Sequence, residues 1–260
     1  MGNRRLANWL SGMACVFLVG SGIAQAQTIE FAVAAEPYPP FTLKQANGKW
    51  SGFEVDLIHK LCEQMKAQCE IKEVAWDGII PSLLAKKIDV IFSSMSITEE
   101  REKQIAFSKA YYDTPVAIAG PKGTRLEISP EGLKGKTIGV QISTVSANYL
   151  KAHYEKIADL RYYDTQDSAN ADLIAGRIDL MMADGTAVSS FVKSPDASGL
   201  ENLGIVPYDP LFGRGVGAGV RKDDAELKAR LDTAIASLLA SKDYDTISQR
   251  YFDISVKPAN

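Results

Sequence analysis

Residues 88–101 read IDVIFSSMSITEER, an apolar run joined to a helix start by a series of hydroxyl side chains. The apolar run, residues 88–92, is typical of a parallel strand that is covered on both faces. Thr98 is predicted to be an N-cap, because two glutamates follow it and their charge suits the first turn of a helix. Arg101 works against the helix dipole in that same turn. Such a local misfit is expected at a functional site.

The side chains of this stretch predict a carboxylate site. The guanidinium of Arg101 takes both oxygens of a carboxylate, while Ser93, Ser94 and Ser96 and free backbone N–H groups at the helix start supply further donors. A second interpretation is plain helix capping. Ser96 and Glu99 fit a capping box, and a first-turn arginine is often only solvated. These residues alone leave both interpretations open.

Residues 1–26 have the pattern of a secretory signal peptide, not of a folded segment. Two arginines precede an apolar run at residues 13–20, and Ala24-Gln25-Ala26 fits a cleavage site after Ala26. The exported chain from Gln27 keeps 27 basic and 32 acidic residues, a net charge of about −5, which disfavours nucleic acid as a partner. The remaining 234 residues are enough for two modest cores.

Two cysteines, Cys62 and Cys69, remain after the predicted cleavage. An even pair in an exported chain indicates a disulfide, here between a helix end and the next strand. Two buried thiols are the alternative.

A weak internal repeat relates two parts of the chain. Residues 83–93, LLAKKIDVIFS, correspond to residues 173–183, LIAGRIDLMMA, with the same helix end, turn, Ile-Asp pair and apolar strand. The repeat predicts two α/β lobes, with a ligand beyond the carboxyl ends of their strands and with Ser94 and Asp184 at equivalent positions. A chance likeness between two helix-to-strand junctions is the alternative.

Three local features complete the secondary-structure prediction. Asp77 and Asp167 are predicted N-caps. The glycine-rich stretch 208–221 does not open directly into a helix, so it predicts a hinge and close backbone packing, not a phosphate loop. Residues 225–251 are predicted to form a helix with one apolar face.

Motifs for nucleophilic, metal and redox chemistry are absent: the sequence contains no G-x-S-x-G, H-E-x-x-H or C-x-x-C. Its two histidines fall on different predicted helices, so we expect no metal and no cofactor. General acid–base catalysis by Glu36 and Asp184 remains an alternative, because the two carboxylates are candidates for one cleft.

The remaining polar and aromatic candidates make a better binding site than a catalytic one. Thr144 is a further candidate for binding the ligand carboxylate, and Asp184 suits a ligand ammonium. Tyr38 and Trp76 offer flat faces to an alkyl chain or a guanidinium, and Glu36 suits a distal cation. For the two aromatic residues, ordinary core packing is the alternative.

Three runs of the chain resemble the periplasmic polar amino-acid-binding proteins of ABC importers, and most of all the lysine/arginine/ornithine, histidine and opine binders. The runs are GFEVDLIHKLCEQMKAQCEI, AWDGIIPSLLAKKIDVIFSSMSITEEREKQIAFS and FGRGVGAGVRKDDAELK. The resemblance covers essentially the whole exported chain. It implies an α/β fold of two hinged lobes, each a mainly parallel sheet flanked by helices. The implied ranges are 27–113 for lobe I, 114–210 for lobe II and 211–260 for the return to lobe I.

The resemblance also implies roles for individual residues. Tyr38 and Trp76 flank the ligand side chain, Asp184 takes the α-ammonium, and Cys62 pairs with Cys69. The α-carboxylate region consists of Ser93, Ser94, Ser96, Arg101 and Thr144. The loop AAEPYPPF is shorter than the family pattern by one residue, and GVQIST is also shortened. These departures affect the assignment of Glu36 to a cationic side chain and the contacts near Gln141.

The resulting expectation is a monomeric periplasmic binding protein that is not an enzyme. The expected ligand is an L-amino acid of the basic group, arginine, lysine, ornithine or histidine, which the protein delivers to the membrane permease of an ABC importer. Two alternatives stay open: an opine-binding protein, and an exported cyclohexadienyl-type dehydratase on the same scaffold.

Overall fold

The structure, a computed structural model, describes residues 28–258, so the predicted signal peptide and its cleavage site lie outside the described residues. Within this range the chain alternates between strands and helices. The strands are β1 Ile29–Ala34, β2 Leu43–Lys44, β3 Trp50–Ser51, β4 Cys69–Val74, β5 Val90–Ile91, β6 Ala106–Tyr112, β7 Val116–Pro121, β8 Thr137–Gln141, β9 Asp159–Tyr163, β10 Leu180–Asp184, β11 Leu200–Ile205 and β12 Val216–Val220. The helices are α1 Phe53–Met65, α2 Ile79–Leu84, α3 Glu99–Glu102, α4 Pro130–Leu133, α5 Val145–Tyr154, α6 Gln166–Ile174, α7 Gly185–Phe191, α8 Ala225–Ala240 and α9 Lys242–Ser248.

Two five-stranded sheets organise the chain, and they share one topology. The first has the order β4-β1-β5-β12-β6, and the second has the order β9-β8-β10-β7-β11. In each sheet three neighbouring strands are parallel and the fourth runs antiparallel to both of its neighbours. The fold class predicted from the sequence is therefore confirmed: mainly parallel α/β sheets in two groups, flanked by helices.

The chain crosses between the sheets twice. Residues 113–115 connect β6 to β7, and residues 206–215 connect β11 to β12. Each crossing leads from an edge strand of one sheet into the antiparallel strand of the other. These crossings agree with the predicted ranges 27–113, 114–210 and 211–260, which we retain as a proposal for the lobe boundaries. Among the described residues, no helix has both the length and the apolarity needed to cross a bilayer.

The internal repeat corresponds to matching hydrogen bonds in the two sheets. The Asp89 carboxylate accepts from the Glu30 N–H at 3.1 Å, and the Asp89 N–H donates to the Glu30 carbonyl at 2.9 Å. Asp179 makes the same pair of bonds with Thr137, at 2.8 and 2.9 Å. The Ile-Asp pair of each half therefore fixes a parallel strand to its neighbour through both the side chain and the backbone.

The glycine-rich stretch packs closely against the hydroxyl-rich segment, as predicted. Gly213 has a φ of 85°, and a Cβ there would lie 2.3 Å from the carbonyl oxygen of Ile97. The Ile97 N–H donates to the carbonyl of Gly215 at 2.8 Å, and the Gly217 N–H donates to that of Met95 at 3.2 Å. This pairing needs small residues, because the two backbones lie next to each other. The hinge role stays a prediction.

Three local predictions are wrong. Asp77 lies inside a short 3-10 helix, Trp76–Gly78, and caps nothing. Asp167 lies in the first turn of α6, whose N-cap is Thr165; the Thr165 hydroxyl accepts from the Ser168 N–H at 3.1 Å. The last predicted helix breaks into α8 and α9 at Ser241, which has an extended backbone and donates its hydroxyl to the Leu238 carbonyl at 2.7 Å.

The predicted disulfide is present. Cys62, in the last turns of α1, is bonded to Cys69, the first residue of β4, with a Cα–Cα distance of 6.2 Å. The bond closes the short turn between a helix and the strand that follows it.

Candidate functional site

A cavity lined by residues of both sheets and of the loops that follow their strands lies between the two sheets. It lies beyond the carboxyl ends of β1, β4 and β5 on one side and of β8, β9 and β10 on the other, where α/β sheets bind their ligands. All nine predicted ligand-binding residues line it: Glu36, Tyr38, Trp76, Ser93, Ser94, Ser96, Arg101, Thr144 and Asp184.

The helix start at Thr98 is confirmed, and it holds Arg101 over the cavity. The Thr98 hydroxyl accepts from the Arg101 N–H at 3.3 Å and caps α3. Ser96 does not form the alternative capping box, because it is buried and forms an isolated β-bridge with Val216. The cap therefore belongs to Thr98, and Ser96 does not cap this helix.

The guanidinium of Arg101 is fixed by groups from both sides of the cavity. It donates to the carbonyl of Ser96 at 2.9 Å and, across the cavity, to the carbonyl of Ser143 at 2.9 Å. It also lies 5.6 Å from the ring centroid of Trp76. A guanidinium has five N–H donors, so these bonds leave others for a carboxylate. Burial lowers the pKa of Arg101 to about 10, while Asp184 and Glu100 oppose that shift, so the group is charged at neutral pH.

The N-terminus of α5 faces Arg101 across the cavity. Thr144 caps this helix by accepting from the Ala147 N–H at 3.1 Å, and its own hydroxyl donates to the carbonyl of Gln141 at 2.8 Å. Val145 and Ser146, the first two residues of the helix, line the cavity. The first N–H groups of a helix have no partner within it and attract anions. A helix start at this position is suited to an anionic group, as is Arg101 opposite it.

Asp184 supplies the opposite charge at the end of β10. The Tyr38 hydroxyl donates to its carboxylate at 2.7 Å, so Asp184 and Tyr38 join the two sides of the cavity. Burial raises the pKa of Asp184 to about 6, although the Tyr38 hydrogen bond and the charge of Arg101 oppose the shift. A buried carboxylate with a raised pKa gains most from a nearby cation, because the cation favours its ionised form.

Glu36 lines the same cavity and is incompletely paired. Its Oε2 is buried and has no hydrogen-bond partner among the described residues. A buried carboxylate oxygen without a partner is costly, so this atom at the cavity wall is an acceptor that a donor in the cavity would satisfy. The predicted common cleft for Glu36 and Asp184 is therefore found.

The structure adds residues that the sequence prediction did not include. Gln166 at the start of α6 and Met182 in β10 line the cavity, and so does Gln141, where the sequence left the contacts open. Glu54 lies directly behind the wall: it is fully buried and bonded to Ser94. In the sequence Glu54 looks like an ordinary acidic residue in the first turn of a helix, and only the tertiary packing distinguishes it. Among residues 28–258 no cluster of potential metal ligands is found.

Comparisons with known proteins identify the family. Residues 30–254 match the bacterial extracellular solute-binding proteins, family 3. The chain belongs to this family. The L-arginine-binding protein of Pseudomonas aeruginosa is 39% identical to this solute-binding protein over 226 residues, which cover 86% of this chain and 87% of the relative. The lysine/arginine/ornithine-binding periplasmic protein of Escherichia coli K12 is 39% identical over 222 residues, or 84% and 85% of the two chains.

A solved structure agrees with the fold. An ancestral arginine-binding protein bound to arginine has a TM-score of 0.80 and 32% identity, over 86% of this chain and 98% of that chain. The fold of this solute-binding protein is therefore the two-lobed α/β fold of its family.

Proposed function

We propose that this protein is the periplasmic solute-binding component of an ABC importer and that it captures an L-amino acid with a cationic side chain. The named relatives bind arginine, or lysine, arginine and ornithine, which supports the ligand class. Closure of the two lobes on the ligand, as a monomer, would present it to a membrane permease. We propose binding without catalysis.

The observation that carries the choice of a cationic ligand is the unpaired Oε2 of Glu36. Glu36 and Asp184 are the two carboxylates of the cavity lining and Arg101 is its one cation, so the lining among the described residues has a net charge of −1 when all three are ionised. A basic amino acid has the complementary set: one carboxylate for Arg101 and two cations for the two acids. A neutral amino acid would leave the charge of Glu36, whose Oε2 is buried, without a cationic partner.

Opine binding is a second candidate, because a further cavity adjoins the first. The two share Pro37, Tyr38, Gln166 and Ala183 as lining residues. A ligand longer than a standard amino acid would use this additional space.

Thermal unfolding of the refolded protein, residues 27–260, tests the proposal against a panel of ligands. The panel contains arginine, lysine, ornithine, histidine, citrulline, glutamine, octopine and prephenate. A ligand at about 100 times its dissociation constant adds roughly 2.7 kcal/mol, or several degrees in Tm. We expect the rise with one or more of the four basic amino acids. A rise with octopine alone would favour the opine candidate, and a rise with prephenate alone would overturn the amino-acid proposal in favour of dehydratase chemistry.

A further inference from the structure

Glu54 is a fully buried carboxylate next to the cavity, and two of its three hydrogen bonds are made with the cavity residue Ser94. Its Oε1 accepts from the Ser94 N–H at 2.6 Å and from the Tyr111 hydroxyl, and its Oε2 accepts from the Ser94 hydroxyl at 3.2 Å. Ser94 has a φ of 52°, a conformation that few residues other than glycine adopt. The Glu54 carboxylate therefore holds both the backbone and the side chain of Ser94.

This arrangement determines what Ser94 can offer to a ligand. Both of its donors, the N–H and the hydroxyl, point to Glu54, and an ionised carboxylate only accepts. The Ser94 oxygen keeps its lone pairs, and Ser94 lines the cavity. Ser94 can therefore accept a hydrogen bond from a ligand, but it has no donor left for a carboxylate.

We infer that Glu54 is a positioning residue that turns Ser94 into an acceptor for the α-ammonium of the ligand, opposite Asp184. The inference rests on the proposed function. It removes Ser94 from the residues that contact the ligand carboxylate and adds it to those that contact the α-ammonium. The ammonium then lies between Asp184 and the Ser94 oxygen, and the charge of Glu54 acts on it through Ser94. Ser93, Ser96, Arg101 and the backbone at the Thr144 cap remain for the carboxylate, because the Thr144 hydroxyl donates to the Gln141 carbonyl.

The electrostatics of Glu54 agree with this role. Burial raises the pKa of Glu54 to about 7, although its bonds to Tyr111 and Ser94 oppose the shift. An ammonium nearby favours the ionised form, so ligand binding at a pH near 6.5 releases a proton from Glu54. The other titratable groups that act on Glu54 are Asp184 of β10, Tyr38 of the loop after β1, and Tyr111 and Tyr112 of β6.

The test uses Glu54→Gln with arginine as the probe, by titration calorimetry at pH 6.5 in two buffers of different ionisation enthalpy. Glutamine keeps the shape of the side chain, but its NH₂ donates to the Ser94 oxygen, so the Ser94 hydroxyl turns its proton towards the ammonium. We expect affinity for arginine to fall about 10- to 100-fold, as for loss of a hydrogen bond to a charged group. The variant also releases fewer protons than the wild type and loses the part of the pH dependence centred near 7.

Two tyrosines on β6 provide a second variant and a control. Tyr111→Phe removes the hydroxyl that donates to Glu54, and we expect its pH dependence to shift upward. Tyr112→Phe removes a neighbouring buried hydroxyl that does not donate to the Glu54 carboxylate, and we expect smaller changes in affinity and proton release than in Tyr111→Phe.

The outcomes separate this inference from the proposed function. If wild-type protein binds arginine and Glu54→Gln binds it with the same affinity and the same proton release, Glu54 is only structural and the inference is wrong. The same conclusion follows if Tyr111→Phe and Tyr112→Phe are indistinguishable. If the wild type binds no basic amino acid, the proposed function fails first.

Discussion

Replacement of Glu36 by glutamine is the perturbation that distinguishes a cationic ligand from a neutral one. The substitution removes one negative charge and keeps the size of the side chain, at a position where Oε2 is buried and has no partner within the described chain. In the complex we expect that oxygen to accept a hydrogen bond from the cationic end of the ligand side chain. The cost of the substitution therefore depends on the charge of the ligand.

The magnitude follows from the burial of this oxygen. A hydrogen bond to a charged group is worth about 1.5–3 kcal/mol, so the dissociation constant for arginine should rise roughly 10- to 150-fold in Glu36→Gln. Citrulline has the same length but carries a neutral urea group, whose oxygen can accept from the new amide. We expect its affinity to stay within a few-fold of the wild-type value.

Titration calorimetry of both proteins with both ligands measures this difference. Glu131→Gln is the matched control, because Glu131 is exposed and its replacement changes the net charge by the same amount. Equal losses for arginine and citrulline, or no loss for arginine, would refute the assignment of Glu36 to a cationic side chain.

Three further predictions follow from the site and the disulfide. Arg101→Ala should weaken arginine binding by about 2–5 kcal/mol in an equilibrium titration, because it leaves the ligand carboxylate buried without its partner; unchanged affinity would exclude Arg101 from the site. Replacing Cys62 and Cys69 by serine should lower the free energy of unfolding in urea by roughly 2–3 kcal/mol, and wild-type protein with reductant should show the same loss; equal midpoints would contradict it. Asp184 and Glu54 have folded-state pKa values raised to about 6 and 7, so the stability they contribute is present at low pH and is lost as pH rises through those values. The Tm of the ligand-free wild-type protein should therefore fall more between pH 5 and pH 8 than the Tm of the Asp184→Asn, Glu54→Gln double variant. Parallel curves of Tm against pH for the two proteins would show that these groups do not set the pH dependence.

The sequence predicted the fold well because its strongest signals are local. The apolar run that ends at Phe92, the Thr98 cap and the spacing of the Ile-Asp pairs each depend on neighbouring residues, and the structure reproduces all three. Local signals failed where two polar residues competed for one role. Thr165 and Asp167 are both good caps by type, and only the backbone shows that Thr165 occupies the extended position.

The candidate site was only partly accessible to sequence reasoning. Glu36, Arg101 and Asp184 could be proposed because each follows a predicted strand or opens a helix, and the repeat placed the two lobes opposite each other. Glu54 could not be found in this way, because its importance comes from burial beside Ser94, which is 40 residues away along the chain. Gln166 was missed for the same reason: it reaches the cavity only when the second sheet packs against the first.

A crystal structure of the complex with arginine would show which side chains contact each charge of the ligand, and this assignment is the basis of the proposed function. We predict the carboxylate on Arg101 and the N-terminus of α5, the α-ammonium between Asp184 and the Ser94 oxygen, and the guanidinium within hydrogen-bonding distance of Glu36 Oε2. A guanidinium placed away from Glu36, or a ligand bound in the reverse orientation with its carboxylate away from Arg101, would contradict it.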